Sequence, residues 1–291
     1  MPITAADVKK LREITSAGIM DCKRALTETD GNIEKAIEYL RKKGIAKAEK
    51  KVSRETKDGL IESYIHPENK VGVLLEVNCE TDFVAKTPDF KKFVGNVAKH
   101  IADKKPVNNS DLMEQSFIKD PNKTVEELQK ELIGKLGENI SIGRFEIYEL
   151  KNGLIESYIH PGNKLGVLLE VNCDSNSVPQ STDFKTFVRD IAMQVAASNP
   201  MVIRREELPS AIIEREMNIY KTQAQNQDKP EHIAEKIAEG KMEKFYQEVC
   251  LMEQSFIKDP NKTIEGLLKE LVGKIGENIT IRRFARFQLG A

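Results

Sequence analysis

Several features that would point to a chemistry are missing from this chain. It has almost no net charge, since 45 Lys and Arg face 46 Asp and Glu. No global field therefore draws it to nucleic acid or to a membrane surface. Its four cysteines, Cys22, Cys79, Cys173 and Cys250, lie far apart and form no CxxC pair. That spacing excludes a cysteine metal site and a dense disulfide framework, and it fits a reduced, cytosolic (cytoplasmic) setting. The first residues, Met1-Pro2-Ile3-Thr4, carry neither the basic nor the apolar region of a signal peptide. No apolar run nears the roughly 20 residues that a membrane helix needs. Gly134-Lys135-Leu136-Gly137 lacks the spacing and the Gly-Lys-Ser/Thr ending of a phosphate-binding loop, and there is no HExxH and no GxSxG. No catalytic residue, metal or cofactor is expected.

What is present is an ordinary balance of 40% hydrophobic and 31% charged residues over 291 positions, enough for two or three domains with cores of their own. Near the N-terminus Thr4 and Asp7 have capping-box spacing, and the apolar positions Val8, Leu11 and Ile14 predict a helix. Thr15-Ser16-Ala17-Gly18 breaks it. A second helix over about Ile19 to Thr29 puts Cys22, Ala25 and Leu26 on one face. Asp30-Gly31-Asn32 is a turn, and Ile33, Ala36, Ile37 and Leu40 form the buried stripe of a third helix. Ile19 and Met20 start the second helix and read equally well as core or as an exposed apolar knob for a partner. Arg41 to Lys57 is rich in Lys and Arg. It reads as a solvated helix tail and linker, because no aromatic side chains are interleaved to stack on bases.

The rest of the chain repeats itself. Residues 59–101 return at 153–195, opening on Gly-Leu-Ile-Glu-Ser-Tyr-Ile-His-Pro in both copies. Residues 112–145 return at 251–284, opening on thirteen identical residues, Leu-Met-Glu-Gln-Ser-Phe-Ile-Lys-Asp-Pro-Asn-Lys-Thr. The second offset is the larger, so the second copy holds an insertion, between about Arg204 and Glu248. Each copy reads as strand, turn, strand, loop, helix, then a helix and a closing strand. His66-Pro67-Glu68-Asn69-Lys70 is the first turn, and Val73, Leu75, Val77 and Cys79 share one strand face. Phe90, Phe93, Val94 and Val97 share one helix face; Thr124 starts the next helix and Gly137 stops it; Ile140, Ile142 and Arg144 continue as a strand. A small antiparallel sheet covered by helices on one side follows. In the insertion Ile212, Ile213, Met217, Tyr220 and Ala224, then Ile233, Ile237, Phe245 and Val249, lie on two helices. Joined through Asn226-Gln227-Asp228-Lys229-Pro230, they form an αα-hairpin.

The two copies differ sharply at one turn. Glu80-Thr81-Asp82-Phe83 becomes Asp174-Ser175-Asn176-Ser177, and Lys86 becomes Gln180. A lone Asp-Phe in a loop most often packs its ring against the core and caps the next helix with its acid. Here the second copy does without both, so the scaffold does not need the ring. Cys79 could be imagined as a nucleophile with His66 and Asp82. Its strand register argues instead for a buried residue, and His66 and His160 sit before prolines in turns expected to be exposed.

Leu11 to Leu26 resembles the N-terminal domain of the bacterial elongation factor Ts family, whose three helices are ubiquitin-associated-like. Val77 to Lys86, with Thr81-Asp82-Phe83-Val84 at its centre, the helix Asp190 to Ser198 and the ending Gly276-Glu277-Asn278-Ile279 carry the resemblance along the whole chain. It implies an α+β protein. A three-helix bundle at 1–52 would be followed by a first module at 53–149 and a second at 150–203 and 249–291, with a helical hairpin at 204–248. It implies a guanine-nucleotide exchange factor, not an enzyme, whose partner is elongation factor Tu, GDP-bound or nucleotide-free. Thr81, Asp82, Phe83 and Val84 would insert between helices of the partner's G domain and dislocate its Mg²⁺. Arg12, Ile19 and Met20 match positions that touch that G domain, and the second module, around Met193 and Gln194, would bear on the partner's far domain. Direct nucleic-acid and membrane contacts are not implied; self-association through the hairpin is compatible. The alternative is an adaptor that binds partners without exchanging nucleotide.

Overall fold

Thr4 and Asp7 do cap the first helix. The Thr4 N–H donates to Asp7 Oδ2 at 3.0 Å and the Asp7 N–H to Thr4 Oγ1 at 3.2 Å. The computed structural model describes residues 3–15, 17–67, 70–175, 177–225 and 231–290. Ser16, the tip of the 66–70 turn, Asn176 and the 226–230 hairpin turn lie outside the described residues. The bundle is α1 (Ala5–Thr15), α2 (Ile19–Glu28) and α3 (Ile33–Glu49). Leu11, Cys22, Ala25, Leu26 and Ala36 form its buried core, with Val8, Ile33, Ile37 and Leu40 against them. Ile14, the third apolar position of α1, is exposed. Asn32 caps α3 by accepting the Lys35 N–H at 2.9 Å.

β1 (Asp58–Ile65) and β2 (Val71–Cys79) follow, then a four-residue helix α4 (Asp82–Ala85), α5 (Pro88–Lys104) and α6 (Asn109–Glu114). A short hairpin, β3 (Ser116–Phe117) with β4 (Asp120–Thr124), leads into α7 (Val125–Leu136) and β5 (Ile140–Glu149). The second copy repeats the plan: β6 (Gly153–Ile159), β7 (Leu165–Cys173) and α8 (Thr182–Ser198). The inserted hairpin is α9 (Ser210–Gln225) and α10 (Glu231–Val249), and β8 (Ser255–Phe256), β9 (Asp259–Thr263), α11 (Ile264–Ile275) and β10 (Ile279–Gln288) complete the module. The closing strand of each copy pairs with its second strand, giving the orders β1-β2-β5 and β10-β7-β6. The mixture of helices and small antiparallel sheets is α+β, as expected. Thr124 and Glu127 form a reciprocal capping box, and Gly137 ends α7 at φ +82°, donating to Ile133 O. The hairpin helices bury three alanines, Ala224, Ala234 and Ala238, together with Met242. The short β3–β4 and β8–β9 hairpins were not foreseen, because Asp-Pro-Asn reads as a loop.

The chain forms two compact units, Met1–Tyr64 with Leu75–Ile147 and Gln288–Ala291, and Ile65–Leu74 with Tyr148–Phe287. In the first unit the basic segment after Leu40 is not a solvated linker. α3 runs on to residue 49 with Ala48 fully buried, and it packs on α7. The two helices touch at glycines. A Cβ on Gly134 would lie 2.9–3.0 Å from backbone atoms of Gly44. Arg41 pairs with Glu131 from α7, and Lys51 donates to the Gly137 carbonyl. In the second unit Gly273 on α11, the counterpart of Gly134, has nothing among the described residues within 4 Å of a built Cβ.

The copies also share a buried polar bridge. His100 is fully buried; its Nδ1 accepts the Ile118 N–H at 3.3 Å, and its Nε2 lies 3.0 Å from Gln115 Oε1. At the matching place Gln194 Oε1 accepts the Ile257 N–H at 2.9 Å and Gln194 Nε2 donates to Gln254 Oε1 at 3.1 Å. One heterocycle and one amide fill the same role, each offering an acceptor and a donor. Burial, followed by the opposing effects of Gln115, Lys104 and Asp103, holds His100 below the ordinary histidine value. The folded chain therefore refuses a proton that the unfolded chain accepts, and stability falls as pH drops below about 6.5. His100→Gln is expected to remove that acid loss. The difference in melting temperature between variant and parent, followed from pH 7 downward, is expected to move in favour of the variant; a constant difference would contradict it.

Candidate functional site

The turn that distinguishes the copies leaves the end of β2. Cys79 closes the strand, fully buried, and its thiol donates to the Thr81 carbonyl at 3.1 Å. Thr81 is the N-cap of α4, in extended conformation, with its hydroxyl 3.5 Å from the Val84 N–H. The Ala85 and Lys86 N–H groups donate to the Thr81 and Asp82 carbonyls at 3.3 and 3.2 Å and wind the single turn. Val84 and Ala85 are buried and hold the turn to the module. This leaves Phe83 pointing out, 79% exposed. The common fate of a loop Phe, packing down on its own core, does not apply.

Asp82 occupies the first helical position, and it is Thr81 that caps. Its carboxylate pairs with Lys86 at 2.6 Å on the surface. Thr81 is tied more firmly from outside: its N–H and hydroxyl donate to the two carboxylate oxygens of Glu138 at 3.0 and 2.7 Å. Glu138 and the neighbouring Asn139 were not singled out from the sequence. Their part depends on a contact across nearly sixty residues that no local pattern announces.

The second copy keeps the strand end and loses the rest. Cys173 donates to the Ser175 carbonyl at 3.2 Å, as Cys79 does to Thr81. The helix is replaced by a 3-10 turn at Val178–Gln180. A signal for this stood in the sequence: Pro179 takes the place of Ala85 and has no N–H to donate back along the turn.

The other expected site residues divide. Arg12, Ile19 and Met20 are all exposed on the bundle. Ile19 is 54% and Met20 69% exposed, so neither is core. Arg12 and Ile19 line a shallow depression between α1 and α2, with Val8, Lys9 and Lys23 around it. Met193 is half-buried on α8. Gln194 is corrected: it is fully buried and spent on the internal bridge described above, so it offers no surface to a partner. His66, expected to be exposed, is half-buried, whereas His160 is exposed.

The cysteine reading also meets the geometry. Burial, then the charges of Glu138 and Asp58, push the Cys79 thiol up to about 12, far from a nucleophile's range. All four cysteines are buried and free. A thiol reagent at neutral pH is expected to leave Cys79 unmodified in the native protein and to label it fully once denatured. Labelling at the rate of an exposed thiol would contradict this.

The family model described as Elongation factor TS matches residues 80–291, beginning at the acid that opens this turn. Over 288 residues the chain is 48% identical to elongation factor Ts of Clostridium kluyveri, covering 99% of this chain and 93% of that one. It is 46% identical over 296 residues to elongation factor Ts of Aquifex aeolicus, covering 100% and 99%. It is 44% identical over 290 residues to that of Trichlorobacter lovleyi, covering 100% and 93%. With relatives this similar across nearly their full length, and a family match over most of its own, the chain belongs to the elongation factor Ts family.

Proposed function

We propose that the chain drives GDP from elongation factor Tu with the Thr81–Val84 turn of its first module. Family membership makes it a guanine-nucleotide exchange factor for that partner. The observation that carries the turn's role is the exposure of Phe83 on a braced helix turn that Val84 and Ala85 bury against the module. GDP is held by phosphate contacts to backbone amides, a Lys and Mg²⁺. A ring that enters an apolar pocket beside the metal recovers about 1.5–3 kcal/mol of burial energy. That energy stabilises a site geometry in which Mg²⁺ and nucleotide bind poorly. Factor and nucleotide then weaken each other reciprocally, which is exchange.

The remaining contacts follow the same reading. Arg12, Ile19 and Met20 meet the partner's G domain, and the half-buried Met193 marks the second module's contact with its far domain. The chain meets the partner in GDP-bound and nucleotide-free states, in the cytoplasm, without binding nucleic acid or membrane. No helix among the described residues is long and apolar enough to cross a membrane. The hairpin of α9 and α10 is the surface through which two copies would associate.

The Mg²⁺ dependence of exchange tests the mechanism. Removing Mg²⁺ with a chelator does part of the turn's work in advance. The fold-acceleration of GDP release by the chain is therefore expected to shrink in chelator. An equal fold-acceleration with and without Mg²⁺ would mean that the turn acts elsewhere.

A further inference from the structure

The last helix of each module is followed by the same four residues, Gly137-Glu138-Asn139-Ile140 and Gly276-Glu277-Asn278-Ile279. Their surroundings differ. Asn139 is buried, and its backbone N–H donates to Glu80 Oε1 at 2.6 Å. Its amide Nδ2 donates to the carbonyls of Val52 and Arg54 at 3.1 and 2.7 Å. Arg54 closes on Glu80 Oε1 at 3.5 Å, and Lys51 donates to the Gly137 carbonyl. Glu138 holds both donors of Thr81. Asn278 is exposed, and among the described residues no comparable set of bonds forms around Glu277 and Asn278.

Residues 137–139 thus join two separated stretches, making three in all. One, 51–54, follows directly on α3, the last helix of the bundle that carries Arg12, Ile19 and Met20. Another, Glu80-Thr81, directly precedes Asp82-Phe83. Apart from Thr81, the clasp uses no side chain assigned to a partner-facing surface, yet it sets where two such surfaces lie with respect to each other. All three stretches belong to the first compact unit.

We propose that Glu138 and Asn139 are positioning residues for nucleotide exchange. They hold the Phe83 turn in a fixed orientation to the N-terminal bundle, so that the ring arrives at the partner already aimed. The proposal rests on the reading of Phe83 given above. A turn without the clasp still docks, but samples orientations in which the ring misses its pocket, so the loss falls on the rate within the complex and not on its formation. The second copy keeps the tetrapeptide without the clasp, which makes it the internal control.

Glu138→Gln in the full chain leaves one acceptor oxygen where two are used. The maximal rate of fluorescent-GDP release from elongation factor Tu is expected to fall about tenfold. The concentration of chain giving half that maximum is expected to stay unchanged. Hydrogen exchange in residues 80–86 is expected to quicken, and Glu277→Gln to match the parent in all three. A purely structural role would lower the melting temperature and leave the saturated rate alone. Should Glu138→Gln fold poorly, Thr81→Val removes the hydroxyl arm, together with the long 3.5 Å cap to the Val84 N–H, keeps the backbone arm, and is expected to act in the same direction. Parent-like maximal rate and parent-like hydrogen exchange in either variant would overturn the proposal. If Phe83→Ala also leaves the rate unchanged, the wedge reading has failed; hydrogen exchange still reports whether the clasp orders the turn.

Discussion

Phe83→Ala is expected to slow chain-driven GDP release from elongation factor Tu by roughly 10- to 150-fold at saturating chain. The range is the burial energy of a Phe-sized side chain, about 1.5–3 kcal/mol, converted at tenfold per 1.36 kcal/mol. The fold is expected to be untouched, because the ring is 79% exposed and the turn is anchored by Val84, Ala85 and Cys79. A circular dichroism spectrum and melting temperature equal to the parent's would show that. Asp82→Asn is expected to cost far less, since its pair with Lys86 lies on the surface, where such pairs contribute about 0–1 kcal/mol. Installing the lost residues in the second copy, as Asn176→Asp with Ser177→Phe, is not expected to rescue Phe83→Ala. Pro179 would still deny that turn the N–H that Ala85 gives to Thr81 in the first copy.

The second large effect is expected at a glycine. Gly134→Ala puts a methyl group 2.9–3.0 Å from the backbone of Gly44, where no flexible side chain can give way. Separating α3 from α7 costs about 1–3 kcal/mol by the usual cost of overpacking. It also strains the Arg41–Glu131 pair and the Lys51 contact at the end of α7. Gly273→Ala, at the matching position of α11, meets open space and is expected to stabilise by about 0.5–1 kcal/mol through helix propensity. Urea unfolding of the two variants against the parent reads both signs. A loss for Gly134→Ala no larger than that for Gly273→Ala would show that the glycine contact does not hold α3 in place.

Much of this fold was legible because it is local. The capping pair Thr4 and Asp7, the stop at Gly137 and the stripe of Cys22, Ala25 and Leu26 each follow from a few neighbouring residues, and the repeat supplied the architecture. The exposed turn was legible for a different reason: two copies of one scaffold differ where Phe83 becomes Ser177. What escaped was long-range. Nothing near Gly44 or Gly134 in sequence says that they meet, so the basic stretch after Leu40 read as a linker although Ala48 is buried. Gln194 read as surface because its neighbours resemble a partner-facing helix. Only the partners Gln254 and Ile257, some sixty residues on, show why it is inside. Aligning His100 with Gln194 and Ala85 with Pro179 would have exposed both features, since a proline in a turn and an acceptor–donor pair at one buried position are readable once the copies are compared residue by residue.

The central claim is that this chain releases nucleotide and does not merely hold its partner. It is tested most directly by stopped-flow release of fluorescent GDP from elongation factor Tu as the unaltered chain is raised to saturation. The release rate is predicted to climb with chain concentration to a plateau far above the spontaneous rate. A stable complex, seen by gel filtration, from which GDP still leaves at the spontaneous rate would contradict the claim and leave the chain an adaptor.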